Sequence, residues 1–325
     1  MDTLRRLAIV MLAAVALVPG AATAQGYPTR PVRLVVADSA GGAPDQLARL
    51  VAQKVSESMG QQIVVDNRAG AGGAVGAESV AKSPADGYTV LLTTTAVYAI
   101  LPNLRKDLPY DPVRDFVPVA RIATASNVLV INTALPAQNV AELVKYAKER
   151  PGTLNYASAG IGTPAHLAGE MLNLLADIKV THIPYKGAAP GLLDVIAGNA
   201  QYIITSPIAA GAHMGAGRVR AIATTGTERN PALPDLPTVA DTLQGYEITQ
   251  SWGIVAPAGT PPDVVKRLSD EFAKALANAD VKDKILKTGA VPATHDSPAA
   301  FAEFMAKERT RLGDVIARSK IELKE

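Results

Sequence analysis

An α/β molecule of two lobes, each a mainly parallel sheet flanked by helices, is predicted by three features of the sequence. Short apolar runs bounded by Gly and Pro alternate with helical patterns from residue 32 onward. The alternation resets near residue 127. A late strand over 253–256 precedes three closing helices, which return the chain to the first sheet.

The first lobe opens with a strand over 32–36, Val-Arg-Leu-Val-Val. A helix over 44–59 follows, with Leu47, Leu50, Val51, Lys54 and Val55 on one face. Pro44 suits its first turn, where a missing N–H costs nothing, and Gly60 closes it. A strand over 62–65, a helix over 74–82, the turn Ser83-Pro84-Ala85-Asp86-Gly87 and a strand over 89–92 complete a βαβαβ order. The second lobe takes strands over 127–131, 154–157, 180–183, 202–205 and 219–225. Helices over 140–150, 164–175, 192–197 and 208–214 lie between them. The closing helices span 262–278, 281–287 and 298–318. The chain therefore crosses between lobes near 120–127 and back near 245–252. One lobe takes residues 25–124 and 246–325, the other 125–245. Clefts between domains, at the C-terminal ends of parallel strands, are where small ligands bind.

Composition narrows the function. Residues 1–25 carry Arg5 and Arg6, an apolar run over 7–18, Pro19-Gly20 and Ala22-x-Ala24. This is a secretory signal with cleavage expected after Ala24, and its apolar run is too short to span a bilayer. A chain working outside the cytoplasm is removed from most ATP- and NAD-dependent chemistry. The absence of cysteine excludes disulfides, Cys-ligated metals and a lipid anchor at the cleavage site. A net charge of +2 gives no field to draw nucleic acid or an anionic membrane. No heptad pattern suggests a dimer, so a monomer is expected.

Two strand-to-helix loops stand out. In Ser39-Ala40-Gly41-Gly42-Ala43-Pro44-Asp45 the glycines admit close backbone approach, and N–H groups at the helix start suit an anion. Asp45 either contacts a ligand or offsets the helix dipole. In the loop over 157–166, Ser158 and Thr163 offer hydroxyls, and Thr163 also suits the N-cap before Pro164. His166 is either a structural hydrogen-bonder or a ligand contact. Gly160, Gly162 and Ala165, with Asp177 downstream, match a relaxed dinucleotide fingerprint, which the secretory signal argues against. The Gly-rich stretch over 66–76 lacks the Gly-Lys-Ser/Thr of a phosphate loop and reads as a structural brace. Catalytic constellations are missing. The four histidines lack zinc-protease spacing, and Tyr156 stands where a nucleophile elbow needs Gly. The residues thus point to a binding protein without a cofactor or metal, and a secreted hydrolase using Ser158 with His166 is the remote alternative.

Taken in order, these segments resemble a known family. They are Tyr27-Pro28-Thr29-Arg30-Pro31-Val32, the Gly41-Gly42-x-x-Asp45 loop, the stretch over 66–73, Pro84-Ala85-Asp86-Gly87-Tyr88-Thr89 and Leu108-Pro109-Tyr110-Asp111-Pro112. The loop over 156–167, His182-Ile183-Pro184-Tyr185-Lys186-Gly187 and the stretch over 252–261 complete the set. The mature chain is similar throughout to the periplasmic receptors of tripartite tricarboxylate transporters, the Bug family.

The resemblance implies a flytrap of two lobes closing on a small organic acid, with delivery to a two-component membrane permease. A loaded receptor docking on a sensor kinase is the alternative. It implies ligand contacts at Ala40, Gly41, Gly42 and Asp45, at Ser158, Gly162, Thr163 and His166, and at Thr94 and Thr95. Tyr185, Lys186, Gly187, Thr205 and Ser206 would line the opposite wall. Three departures stand out: Ala37-Asp38 replace Pro-Phe or Pro-Tyr and Ala40 replaces a Pro, an Asp near Thr205 is absent, and so is a His over 93–98. Asp38 either faces the ligand, where it would favour an ammonium or hydroxyl group, or caps its loop.

Overall fold

The computed structural model describes residues 26–294 and 297–319. The secretory segment and its cleavage site lie outside the described residues, as does His295. Eleven strands among the described residues form two sheets. The first sheet has the order β11-β4-β10-β3-β1-β2, and the second β7-β6-β8-β5-β9.

In the first sheet β1 (Val32–Val36) lies between β2 (Ile63–Asn67) and β3 (Thr89–Thr94), parallel to both. Four of its five residues are buried, as a strand covered on both faces requires. Helix α1 (Ala43–Met59) buries Leu47, Val51 and Val55 against it. Gly60 ends α1 in a left-handed conformation, its N–H donating to the Ser56 carbonyl at 3.1 Å. Helix α2 (Ala74–Ala81) makes the next crossover. After β3 a wide turn over Ala96–Ile100 leads to the short α3 (Leu101–Leu104).

The second sheet repeats the scheme with β6 (Asn155–Ser158), β7 (Thr181–Pro184) and β8 (Tyr202–Thr205), all parallel. Helices α4 (Val140–Glu149), α5 (Pro164–Ala176), α6 (Ala188–Ala197) and α7 (Pro207–Gly215) flank it. A buried Tyr156–Tyr202 stack, with centroids 5.6 Å apart, joins β6 to β8 in its core.

Both sheets are mixed, because the crossing segments add strands in the opposite sense. β5 (Val128–Asn132) is antiparallel to β8 and to β9 (Val219–Thr224). β10 (Thr249–Pro257) is antiparallel to β3 and to β4 (Phe116–Ser126). The sequence pattern does not predict β4 as a strand. Pro118 and Arg121 interrupt its apolar pattern, and two register shifts in the β4–β10 ladder absorb the irregularity. The closing helices α8 (Pro262–Ala277), α9 (Ala279–Lys287) and α10 (Pro298–Ser319) belong to the first half of the molecule, where α8 packs on α1 and β4. β11 (Val291–Pro292) edges that sheet.

Only Asn127 separates β4 from β5. The return crossing runs from Thr225 to Ile248, and the two crossings are tied together. The Asn127 N–H donates to Thr225 Oγ1 at 2.8 Å, and the Thr225 N–H to the Asn127 carbonyl at 2.9 Å. The Ile248 N–H donates to the Thr225 carbonyl at 2.9 Å, and the Thr225 hydroxyl donates back to the Ile248 carbonyl. Asn127, Thr225 and Ile248 are fully buried. Thr225→Val keeps the shape but leaves the Asn127 N–H and the Ile248 carbonyl each one partner short. Such buried orphans cost about 1–3 kcal/mol, so the variant should unfold at lower urea concentration than the wild type with an unchanged denaturant slope. An unchanged midpoint would show that these bonds do not hold the crossing.

Candidate ligand-binding site

The C-terminal ends of the parallel strands in both sheets face one cavity of about 540 Å³ between the two halves. That volume falls in the range of small-molecule sites. Its walls are mostly the starts of helices. The first half contributes Gly42 to Pro44 at the start of α1 and Ala69 to Gly73 ahead of α2. The second contributes Thr163 to Ala165 at α5, Gly187 and Ala188 at α6, and Ser206 at α7. Five helix N-termini thus converge, each presenting N–H groups and the positive end of its dipole. Thr163 and Ser206 cap their own helices, accepting from the His166 N–H at 3.3 Å and the Ala209 N–H at 3.2 Å. The caps Gly42, Gly73 and Gly187 offer no side-chain acceptor. Thr94, Thr95 and Thr205 at strand ends add hydroxyls, and Trp252 and Tyr185 add aromatic wall.

Of the residues proposed from sequence, Asp38, Gly42, Thr94, Thr95, Thr163, Tyr185, Lys186, Gly187, Thr205 and Ser206 line the cavity. Six do not. Ala40 and Gly41 form the exposed outer side of their turn. Asp45 is buried, accepting from the Gly41 N–H at 2.9 Å and pairing with Arg49 at 2.9 Å. Burial pushes its carboxyl up, but bonds from Arg49 and Gly41 outweigh that and hold it below the usual range. The dipole-offsetting reading of Asp45 is therefore the one its placement fits. Gly162 sits where the halves touch, and a Cβ there would lie 2.5 Å from Leu101 Cδ2.

Ser158 and His166 form a brace beneath the glycine loop. Ser158 is fully buried, and its Oγ meets His182 Nε2 at 2.6 Å, with the Gly160 N–H donating to that oxygen at 3.1 Å. His182 stacks between Tyr156 and His166, at 4.8 and 4.3 Å. His166 Nδ1 accepts from the Gly162 N–H at 3.3 Å. Ser158 thus bonds His182, not the His166 foreseen for a hydrolase. Asp177, the downstream residue of the dinucleotide fingerprint, caps the far end of α5. That end lies about 20 Å along the helix from the loop.

Sequence reasoning missed two contributions. The stretch over 66–76, read as a brace, puts Ala69 to Gly73 on the cavity wall. Its run of glycines was the available signal. Gln250 and Trp252 also reach the cavity, because β10 pairs with β3 and sets Trp252 opposite Thr94. Among the described residues no group of three His, Asp or Glu is placed to hold a metal ion. Nor is any helix among them long and apolar enough to cross a membrane.

Two mixed-sheet lobes joined by paired crossings, with a cleft ringed by helix starts, define a periplasmic solute-binding protein. Comparison with known proteins agrees. Residues 47–321 match the model of the tripartite tricarboxylate transporter family receptor. The chain is 33% identical to BugT of Bordetella pertussis over 327 residues, the whole of both chains. Among solved structures it is similar to R. palustris Rpa4515 with adipate, at TM-score 0.88 and 37% identity, covering 91% of this chain and 99% of that one. It is also similar to MatC of Rhodopseudomonas palustris with bound malate, at TM-score 0.85 and 30% identity, covering 89% and 100%. The chain belongs to the tripartite tricarboxylate transporter receptor family.

The histidine brace makes stability pH-dependent. Burial lowers the His166 pKa to about 4 and that of His182, next to it, to about 3. Both rings are neutral in the fold but titrate near 6.5 when unfolded. Their contribution is present in full above pH 6.5 and is lost as pH falls toward 4 and 3. Urea melts should show a smaller loss between pH 7.5 and 5 for His182→Gln than for the wild type. Equal losses would contradict neutral buried rings.

Proposed function

We propose that the mature chain, released by cleavage after Ala24, works as a monomer in the periplasm. It captures a small organic acid between its lobes and delivers it to a two-component membrane permease. The lobes of this reading are residues 25–124 with 246–325, and 125–245. The observation that carries it is the convergence of five helix N-termini on a cavity with, among the described residues, a single basic side chain, the exposed Lys186. A buried carboxylate must be fully hydrogen-bonded, and free N–H groups at helix starts do this without the desolvation cost of a buried cation. Thr94, Thr95, Thr205 and Ser206 would complete the carboxylate's shell, with Tyr185 and Trp252 against its carbon chain. The relatives solved with adipate and with malate support an acid as the ligand class.

Ligand binding would close the lobes by binding the closed arrangement more tightly than the open one. Thr225 and Asn127 lie where the chain would bend. No chemical step is assigned. Ser158 is fully buried beneath the glycine loop, where its hydroxyl is taken up by His182 and Gly160.

The test is calorimetric titration of the mature protein, stripped of carried ligand, against aliphatic, amino and aromatic carboxylic acids. Trp252, the only tryptophan, reports the cleft by fluorescence in the same samples. The expected result is one-to-one binding of at least one acid, a change in Trp252 emission, and recovery of that acid unchanged by mass spectrometry. Conversion of the acid, or no binding across the set, would contradict the reading.

A further inference from the structure

Among the described residues the cavity wall carries two charged side chains, and they differ in setting. Lys186 is exposed to solvent. Asp38 is partly buried at the end of β1, beside the start of α1. Its Oδ1 accepts from the Ser39 N–H at 2.7 Å and the Ser39 hydroxyl at 3.3 Å. Its Oδ2 lies over Gly42, 3.5 Å from where a Cβ would stand, and accepts no hydrogen bond among the described residues. No basic side chain among them pairs with Asp38. One acceptor in the cleft is thus left for whatever enters.

On the reading that the cleft binds an organic acid, we infer that Asp38 selects acids that bring a hydrogen-bond donor, a hydroxyl or amino group, to its Oδ2. An ionised carboxylate only accepts. A ligand whose second ionised carboxylate lies against Asp38 places two negative charges together in an enclosed space, which disfavours binding. A ligand with only CH₂ at that end strips water from Oδ2 and returns nothing. A hydroxyl restores the lost bond, and an ammonium also neutralises the charge. Sites built to hydrogen-bond a substrate group discriminate strongly against the analogue lacking it, because their own polar atoms are left unpaired. Burial raises the Asp38 pKa while the bonds from Ser39 oppose that. This fits a carboxylate that gains from an added donor.

The experiment compares matched acids that differ only in the donor. The sets are succinate, malate and aspartate; glutarate, 2-hydroxyglutarate and glutamate; and benzoate with its 3-hydroxy and 3-amino forms. Titrations use the wild type, Asp38→Asn and Asp38→Ala, with thermal melts to confirm folding. In at least one set the wild type should bind a donor-bearing member about tenfold or more tighter than the unsubstituted acid, a difference of about 1.4 kcal/mol. Asp38→Ala should reduce that ratio to near one while keeping the unsubstituted acid bound. Asp38→Asn keeps an acceptor but no charge, so it should spare a hydroxyl preference and remove an ammonium one. Wild-type binding without regard to the donor, or a preference that persists in Asp38→Ala, overturns the inference and leaves the receptor reading intact. If no acid of the three sets binds the wild type, both fail.

Discussion

The two halves of this molecule are held in register at one buried residue. Thr225 bonds Asn127 on the outgoing crossing and Ile248 on the return, using both its backbone and its hydroxyl. With the crossings lashed side by side, β4 and β10 run as one long antiparallel pair through the first sheet, and β5 and β9 through the second. The strand ends of both sheets must then face each other. A helix starts after most of those ends, so their N-termini point into the space between. The cavity is a consequence of topology before it is a consequence of any side chain.

Close approach of the halves is set by backbone. Gly162 has φ +78° and its missing Cβ leaves room for Leu101, and Gly187 has φ +113° with Ser39 against it. At both positions an L side chain would strain its own backbone and also meet the other half. Where the helix starts meet the cleft, its wall is mostly peptide groups and short hydroxyls, which leaves their dipoles unscreened. The proposed anion selectivity rests on that geometry. Asp38 is the one feature that works against it, which makes it informative about what else the ligand must carry.

The alternation of strands and helices was legible because each run had its own period and punctuation. Residues 44–59 show a helical face closed by Gly60, and 32–36 a run apolar enough for a buried strand. β4 was illegible because Pro118 and Arg121 look like loop residues, and only pairing with β10 makes a strand of them. The sense of β5 and β10 was likewise a tertiary matter, since a crossing and a βαβ connection look alike in sequence. Within the site, the strand-to-helix loops were visible from their glycines, hydroxyls and prolines. Which of their side chains turn inward was not. Asp45 and His166 directly follow Pro44 and Ala165 on the cavity wall, yet both turn back to brace the loop that precedes them. His182 shows in sequence only as one ring beside a strand, and its contact with Ser158 depends on the pairing of β6 with β7.

On the proposed function, backbone at helix starts, not a cationic side chain, holds the ligand's carboxylate. A crystal structure of the protein with a bound acid tests it most directly. Carboxylate oxygens should lie within hydrogen-bond distance of N–H groups at the starts of α5, α6 or α7, with the Lys186 ammonium still in solvent. A carboxylate paired to Lys186, or an acid bound outside the cleft, would contradict it.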